Sequence, residues 1–283
     1  VRGEARGLFH DRRAAVGAAV LAVAVLGALL APLLAGDPIA QHDIVLTRFL
    51  PPLATDPLGA FHLLGTDRFG RDVWARLIYG ARVSLGVGVL AVLLSVLIGV
   101  AVGAAAGFWR GWLATALLGL TDFALALPRV VLLLLLASLW RPSAGLVIVV
   151  LGLTGWMTIA RLVYAEVRAL AGRPFVESAV GLGVPGPRIL LRHILPNAMT
   201  PVIVATALGL GNAVLLEAGL SFLGLGVQPP TPSWGNLIAS GRDTLVNAPW
   251  VATAPGVALV LVVVAATLLG DAVRDRLDPG KVG

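Results

Sequence analysis

Four ionisable or amide side chains stand inside long apolar runs of this 283-residue chain: Asp122, Arg129, Asn212 and Glu217. A charge in lipid is costly, so such groups face protein or water and serve solute paths, proton relays or structural pairs. Asp122 and Arg129 lie seven residues apart, which puts them on one face of a continuous helix. That spacing suits a polar contact along a path or at a subunit boundary. It equally suits a structural pair in which Arg129 reaches the headgroups, and the structural pair is favoured. Pro128, next to Arg129, adds a kink. Glu217 follows Asn212 by a turn and a residue. It suits either a cavity-lining acid for an amine or a buried hydrogen-bonding anchor for subunit packing.

Other chemistries lack their residues. There is no cysteine, which excludes disulfides, thiolate metal sites, iron–sulfur clusters and a thiol nucleophile. The four histidines, His10, His42, His62 and His193, are scattered without metal-ligand spacing. None falls in an apolar stretch beside Ser84, Ser95 or Ser221, so a serine nucleophile has no base there. No G-x-x-x-x-G-K-[ST] occurs, and the only lysine is Lys281, so the chain offers no P-loop phosphate cradle. The net charge of +6 comes almost wholly from arginine. A membrane accounts for it better than nucleic acid does, because arginine collects on inner loops.

The elements that must hold these residues are membrane helices. Hydrophobic residues make up 58% of the chain and charged ones 13%, and the mean hydropathy is +0.93. A span needs about 20 apolar residues. Six stretches qualify: 14–35, 83–108, 113–139, 143–160, 198–220 and 250–270. The first follows Arg12 and Arg13 but is too long for a signal peptide core and reads as a retained anchor. An inner N-terminus puts most of the arginines inside, although the first outer loop carries Arg48, Arg68, Arg71, Arg76 and Arg82. The expected organisation is an inner tail at 1–13, the anchor, and an outer loop at 36–82. A five-helix core at 83–274 with an inner loop at 165–196 and an inner tail at 275–283 complete it. Residues 71–82 are amphipathic and suit either the headgroup layer or a helical extension of the second span. Gly99, Gly103 and Gly107 make two G-x-x-x-G steps, read as close helix packing. Gln228, Pro229 and Pro230 precede Trp234 in a stiff outer loop, an interfacial cap or an outer gate.

The inner loop is the most informative stretch. Pro174 suits a first helical turn, Gly183 a helix end, and Val184-Pro185-Gly186 a turn. A second short helix from Arg188 to Ile194 is expected to stop at Pro196. The resulting knob leaves Phe175, Val176, Ala179, Val180 and Leu182 wet unless a partner covers them or the knob folds back on its own helix ends.

Within this loop, Glu177-Ser178-Ala179, Gly183, His193 and Leu195-Pro196 stand at the spacing of the EAA loop of ABC importer permeases. Ser178 replaces an alanine and His193 an isoleucine. Gly65-Thr66-Asp67, Gly70-Arg71-Asp72-Val73 and Ala81-Arg82-Val83-Ser84-Leu85 resemble signatures of the dipeptide/oligopeptide/nickel branch. So do Glu217 to Gly235, with Gly270-Asp271, Arg274-Asp275 and Leu277-Asp278-Pro279. In order along residues 65–279, they make the chain similar to the second of two permease subunits.

The resemblance implies an all-α, six-span type I importer permease fold in the bacterial inner membrane, with both termini cytoplasmic. It implies four partners besides lipid: a homologous permease, two ATPase subunits that hold ATP and Mg, and an extracytoplasmic solute-binding protein. The cargo would be di- or oligopeptides, or alternatively nickel or another small solute. Phe175, Glu177, Ser178, Ala179, Gly183, Arg188, His193, Leu195 and Pro196 would form the ATPase-coupling loop. A secondary transporter coupled to protons through Asp122 and Glu217 is the reading from another class, but no internal repeat supports it.

Overall fold

The structure, a computed structural model, describes residues 12–41 and 43–277. His10, His42, Lys281 and most of both expected tails lie outside the described residues. Helix α1 (Arg12–Leu29) runs into a short α2 (Ala31–Leu34), with Pro32 in its first turn. The outer loop then forms a one-turn α3 (Ile44–Thr47) and a small hairpin, β1 (Ala54–Thr55) and β2 (Phe61–His62).

Helix α4 (Val73–Phe108) is 36 residues long. Asp72 caps it, accepting from the Ala75 N–H at 2.7 Å. The amphipathic stretch therefore continues the span. At 1.5 Å per residue the helix reaches roughly 54 Å, well beyond a ~30 Å hydrocarbon core. Gly111, at φ +87°, lets the chain reverse into α5 (Trp112–Ala126).

Here the structure departs from a continuous third span. Helix α5 stops, and α6 (Arg129–Ser138) leaves it at 89°. The cause is Pro128: it lacks an N–H and pushes the preceding Leu127 into extended backbone, ψ 135°. Asp122 and Arg129 thus sit on two helices and do not share a face.

Helix α7 (Ala144–Leu170) outruns its expected end near residue 160. Hydropathy falls there because one face turns polar, yet Val163 and Val167 on the other are fully buried. Helix α8 (Pro174–Gly181) follows, closed by Gly183 at φ +74°.

Helix α9 (Gly186–Ile189) leads through a π turn at Leu190–Ile194 into α10 (Leu195–Ala198) and then α11 (Thr200–Phe222). Pro196 thus stands in the first turn of α10 and does not stop the chain. The widened turn spares the proline ring a clash with the Arg192 carbonyl. The Asn197 side chain donates to the His193 carbonyl at 2.6 Å. Helices α12 (Trp234–Arg242) and α13 (Trp250–Leu277) complete the bundle.

Helices α4 and α7 form the principal seam. Gly99, Gly103 and Gly107 all face α7. A β-carbon at Gly99 would lie 2.7 Å from the Trp156 carbonyl oxygen, and one at Gly107 2.9 Å from Val167 Cβ. At Gly103 it would strike the Ala160 carbonyl. The glycines therefore let two backbones meet where lipid offers no hydrophobic drive. Gly103→Leu is expected to destabilise the protein by about 1–3 kcal/mol or more through overpacking. Gly119, with nothing within 4 Å of its β-carbon position, is the control. Thermal unfolding of the two leucine variants in detergent checks this: equal midpoints would contradict the seam.

Candidate functional site

The inner knob is built on the ends of the seam. Val176, Ile189, Leu190 and Ile194 bury themselves with Val163 and Val167, and Phe108 packs on the cluster from the end of α4. The knob thus does fold back on its helix ends, but only by its base. Phe175, Val180 and Leu182 remain exposed by 43%, 61% and 83%. Ala179 is half-buried, and Glu177, Ser178, Arg188, His193 and Pro196 are exposed, with Leu195 intermediate. Glu177 lies in the first turn of α8, where a negative charge meets the positive helix end. The Ser178 hydroxyl donates to the Pro174 carbonyl at 2.9 Å. The Gly183 N–H donates to Val180 and the Val184 N–H to Ala179, which closes the helix. Leu170, Arg173, Pro174, Phe175 and Asn197 line a shallow groove beside this ridge.

Glu217 is placed elsewhere than on a cavity wall. It is fully buried on α11, and the Ser221 hydroxyl donates to its Oε1 at 2.7 Å. Ser84 and Ser233 lie near it, and its Oε2 is buried with no hydrogen-bond partner among the described residues. Asn212 is exposed on a different face of α11, so the two do not cooperate. The Val227 N–H donates back to Ser221 Oγ at 2.9 Å, folding the outer loop over the carboxyl.

That loop ends in a capping box between Ser233 and Asn236. The Asn236 amide also donates to the carbonyls of Val227 and Thr231. Trp234 is 2% exposed, its indole N–H donating to the Leu77 carbonyl and its backbone N–H to Ser84 Oγ. Gln228, Pro229 and Pro230 are exposed above it, and the Gln228 amide donates to the carbonyls of Gly224 and Gly226. Ser84, Ser221, Ser233 and Asn236 were not singled out as functional from sequence. The S-x-x-N spacing was the available signal.

The G-T-D stretch of the outer loop builds a polar core. Asp67 binds Arg71 at 2.7 Å and lies 3.7 Å from Arg76 Nε, all three buried. Gly65 and Gly70 both have φ near +70°, and a β-carbon at either would strike Leu50 or Thr47. His62 Nδ1 lies 2.7 Å from Asp72 Oδ2, which joins the hairpin to the α4 cap. Asp56 accepts from the Ala60 and Leu58 N–H groups at 2.8 and 2.9 Å. The Ala60 bond first, then Leu58 and His62, hold its carboxyl below the usual carboxylate range, against the upward push of burial.

Asp122 pairs with Arg161 of α7, a residue counted from sequence as part of an inner loop. The signal available was the continued amphipathic period beyond Ala160. Arg129 is exposed at the start of α6. Among the described residues, no group of three or more histidine, cysteine or carboxylate side chains could hold a metal.

Two outcomes follow. Ser221→Ala removes both a donor to Glu217 and the acceptor of the Val227 N–H, and is expected to cost about 1–3 kcal/mol. Unfolding midpoints check it, and an unchanged midpoint would remove the serine from the outer anchor. Because the Asp56 pKa is depressed on folding, its stabilisation is present above about pH 4 and lost as pH falls through the folded value. Hydrogen exchange of amides 58–62 should accelerate over that range, and Asp56→Asn should flatten the change.

Residues 95–282 match the family described as binding-protein-dependent transport system inner membrane component. Residues 4–52 match the N-terminal TM domain of oligopeptide transport permease C. A putative peptide transport system permease protein of Brucella abortus is 39% identical over 97% of this chain and 90% of its own. The di/tripeptide transport system permease protein DppC of Pseudomonas aeruginosa is 38% identical over 95% of this chain and 89% of its own. The dipeptide permease DppC of Alkalihalophilus pseudofirmus is 35% identical over 96% and 87%. A chain of the inward-facing MetNI methionine ABC transporter superposes with a TM-score of 0.57 at 21% identity, covering 71% of this chain and 96% of that one. With five long apolar helices and the broken α5–α6 pair as a sixth among the described residues, the fold is that of type I ABC importer permeases. The chain belongs to the binding-protein-dependent transport system inner membrane components.

Proposed function

We propose that this chain pairs with a homologous permease to form the translocation path of an ATP-driven peptide importer. Two cytoplasmic ATPase subunits would supply hydrolysis, and an extracytoplasmic solute-binding protein would deliver di- or oligopeptides. The peptide reading is supported by relatives named as peptide, dipeptide or di/tripeptide permeases. Nickel is the weaker cargo on that ground.

The observation that carries the coupling role is the knob: an apolar ridge of Phe175, Val180 and Leu182 on a buried base. An exposed greasy ridge this stiff calls for a protein cover. With that ridge held by an ATPase, closure of the two ATPases would swing α7 and α8 as a rigid body and switch the path between inner and outer openings. Glu177, Gly183 and the Leu195-Pro196 turn set the ridge's shape. On this reading both termini are cytoplasmic, residues 36–72 lie outside, and Gln228 to Pro230 stand at the outer mouth. Proton coupling through Asp122 and Glu217 is disfavoured because Asp122 is paired with Arg161 and Glu217 is enclosed by this chain's own residues.

Proteoliposomes carrying the complete importer test the reading. Peptide uptake should require ATP and survive a collapsed proton gradient. Uptake that needs the gradient and ignores ATP would overturn it. Glu177→Arg and Gly183→Trp should insert in the membrane normally yet lose uptake at least tenfold. Full transport and ATPase association in both variants would sink the coupling assignment.

A further inference from the structure

Asp122 on α5 and Arg161 on α7 meet as an ion pair that this chain leaves half uncovered, with side-chain exposures of 52% and 41%. Arg129 is exposed nearby in sequence, and its guanidinium lies over α7: a β-carbon at Gly155 would stand 3.4 Å from its Nη2. Depth along α7 follows from the helical rise. Gly155 is roughly 16 Å and Arg161 roughly 26 Å from the outer end of α7 at Ala144, inside a core of about 30 Å. These three charges therefore occupy the middle and inner part of the spans.

An uncovered charge at that depth does not face lipid. Charges within spans are drawn toward bundle interiors or water-filled cavities, where protein or water can solvate them. The covered face of α7 is the one against α4, where Gly99, Gly103 and Gly107 pack. Asp122 and Arg161 lie off that seam, and Arg129 lies at its edge beside Gly155, whose β-carbon would also strike Ser95 of α4.

We infer that Asp122, Arg161 and Arg129 form a charged step on the wall of the translocation path, at which the termini of a passing peptide exchange with the ion pair. Asp122 takes the ammonium end, and the two guanidiniums take the carboxylate. With the path empty, Asp122 and Arg161 satisfy one another, so only Arg129 stands bare and the step favours the anionic end. A zwitterion replaces the pair charge for charge, which gives weak binding and ready release, as conduction along a path requires. The ligand rests on the peptide-import reading; the place on the path rests on the exposure and depth of the pair alone.

The natural absence of cysteine makes the test direct. Asp122→Cys, Arg161→Cys and the α1 control Val23→Cys, at a position 72% exposed, are each reconstituted in the complete importer. A membrane-impermeant methanethiosulfonate is added to both aqueous sides. The two path positions should react at least tenfold faster than the control. A dipeptide supplied with the solute-binding protein should slow them severalfold. Reaction no faster than at Val23→Cys overturns the place on the path. Fast reaction indifferent to the dipeptide overturns the exchange with its termini. Uptake of the same dipeptide by the unmodified importer is measured in parallel. Its absence counts against peptide import, while the labelling rates still decide the position. The double variant Asp122→Asn with Arg161→Gln keeps the pair's shape without its charge. It should retain ATPase association and lose uptake severalfold; unchanged uptake overturns the role of the charges.

Discussion

Everything the inner end of this molecule does depends on how closely α4 and α7 approach. Three glycines one turn apart leave no side chain between the helices, so backbone meets side-chain stems directly. The same two helices run on past the apolar region: Phe108 ends α4, and Val163 and Val167 continue α7. The knob's buried base packs on those continuations. A β-carbon at Gly186 would lie 3.3 Å from the Phe108 ring. The knob is thus joined to the seam through a packed base. Displacing it displaces the seam, because close-packed interfaces shift between discrete arrangements and do not deform continuously.

The outer end is held by hydrogen bonds in place of glycine contacts. Glu217 and Ser221 on α11, Ser84 on α4, and Ser233 with Trp234 at the start of α12 converge on one buried cluster. Buried polar groups without partners are costly, so the cluster specifies a single arrangement of three helices and the loop between them. Gly235 is part of the same constraint, since a β-carbon there would strike the Ala218 backbone. The long motif from Glu217 to Gly235 is thus mainly a structural device. Its aromatic, its serines and one oxygen of its acid are engaged in fixing this end of the bundle.

What the sequence disclosed tracks which forces are local. Span positions, the α8 start at Pro174 and its end at Gly183 follow from hydropathy and turn chemistry, and both helix bounds appear in the structure. The glycine steps read as packing, and they pack. Three things were not legible. Pro128 was seen as a kink, but nothing local sets a bend of 89°; that depends on where α6 finds contacts on α7. Pro196 reads as a stop, because no sequence rule signals the π turn that absorbs it. The partner of Asp122 was sought seven residues away on the same helix, whereas the ion pair is made 39 residues away on another. Trp234 is turned inward by its capping-box neighbours.

The break at Pro128 also explains how charge is tolerated here. A continuous α5–α6 helix would have carried Asp122 and Arg129 down one stripe, where a seven-residue separation is too long for an intimate pair. Breaking the helix releases Asp122 to a guanidinium of α7 and brings Arg129 beside Gly155, where a β-carbon would stand 3.4 Å from its Nη2. Gly155 is required for the reason that the α4 glycines are: a β-carbon there would strike Ser95 Oγ of α4. At the α4–α7 seam the neighbour is backbone, and the result is rigidity. Beside Gly155 the guanidinium of Arg129 also comes close, and it has no salt bridge of its own among the described residues. Such a group is stable only where water or a solute can reach it, which sets the exposed side of α5, α6 and α7 apart from the apolar faces of α1 and α13.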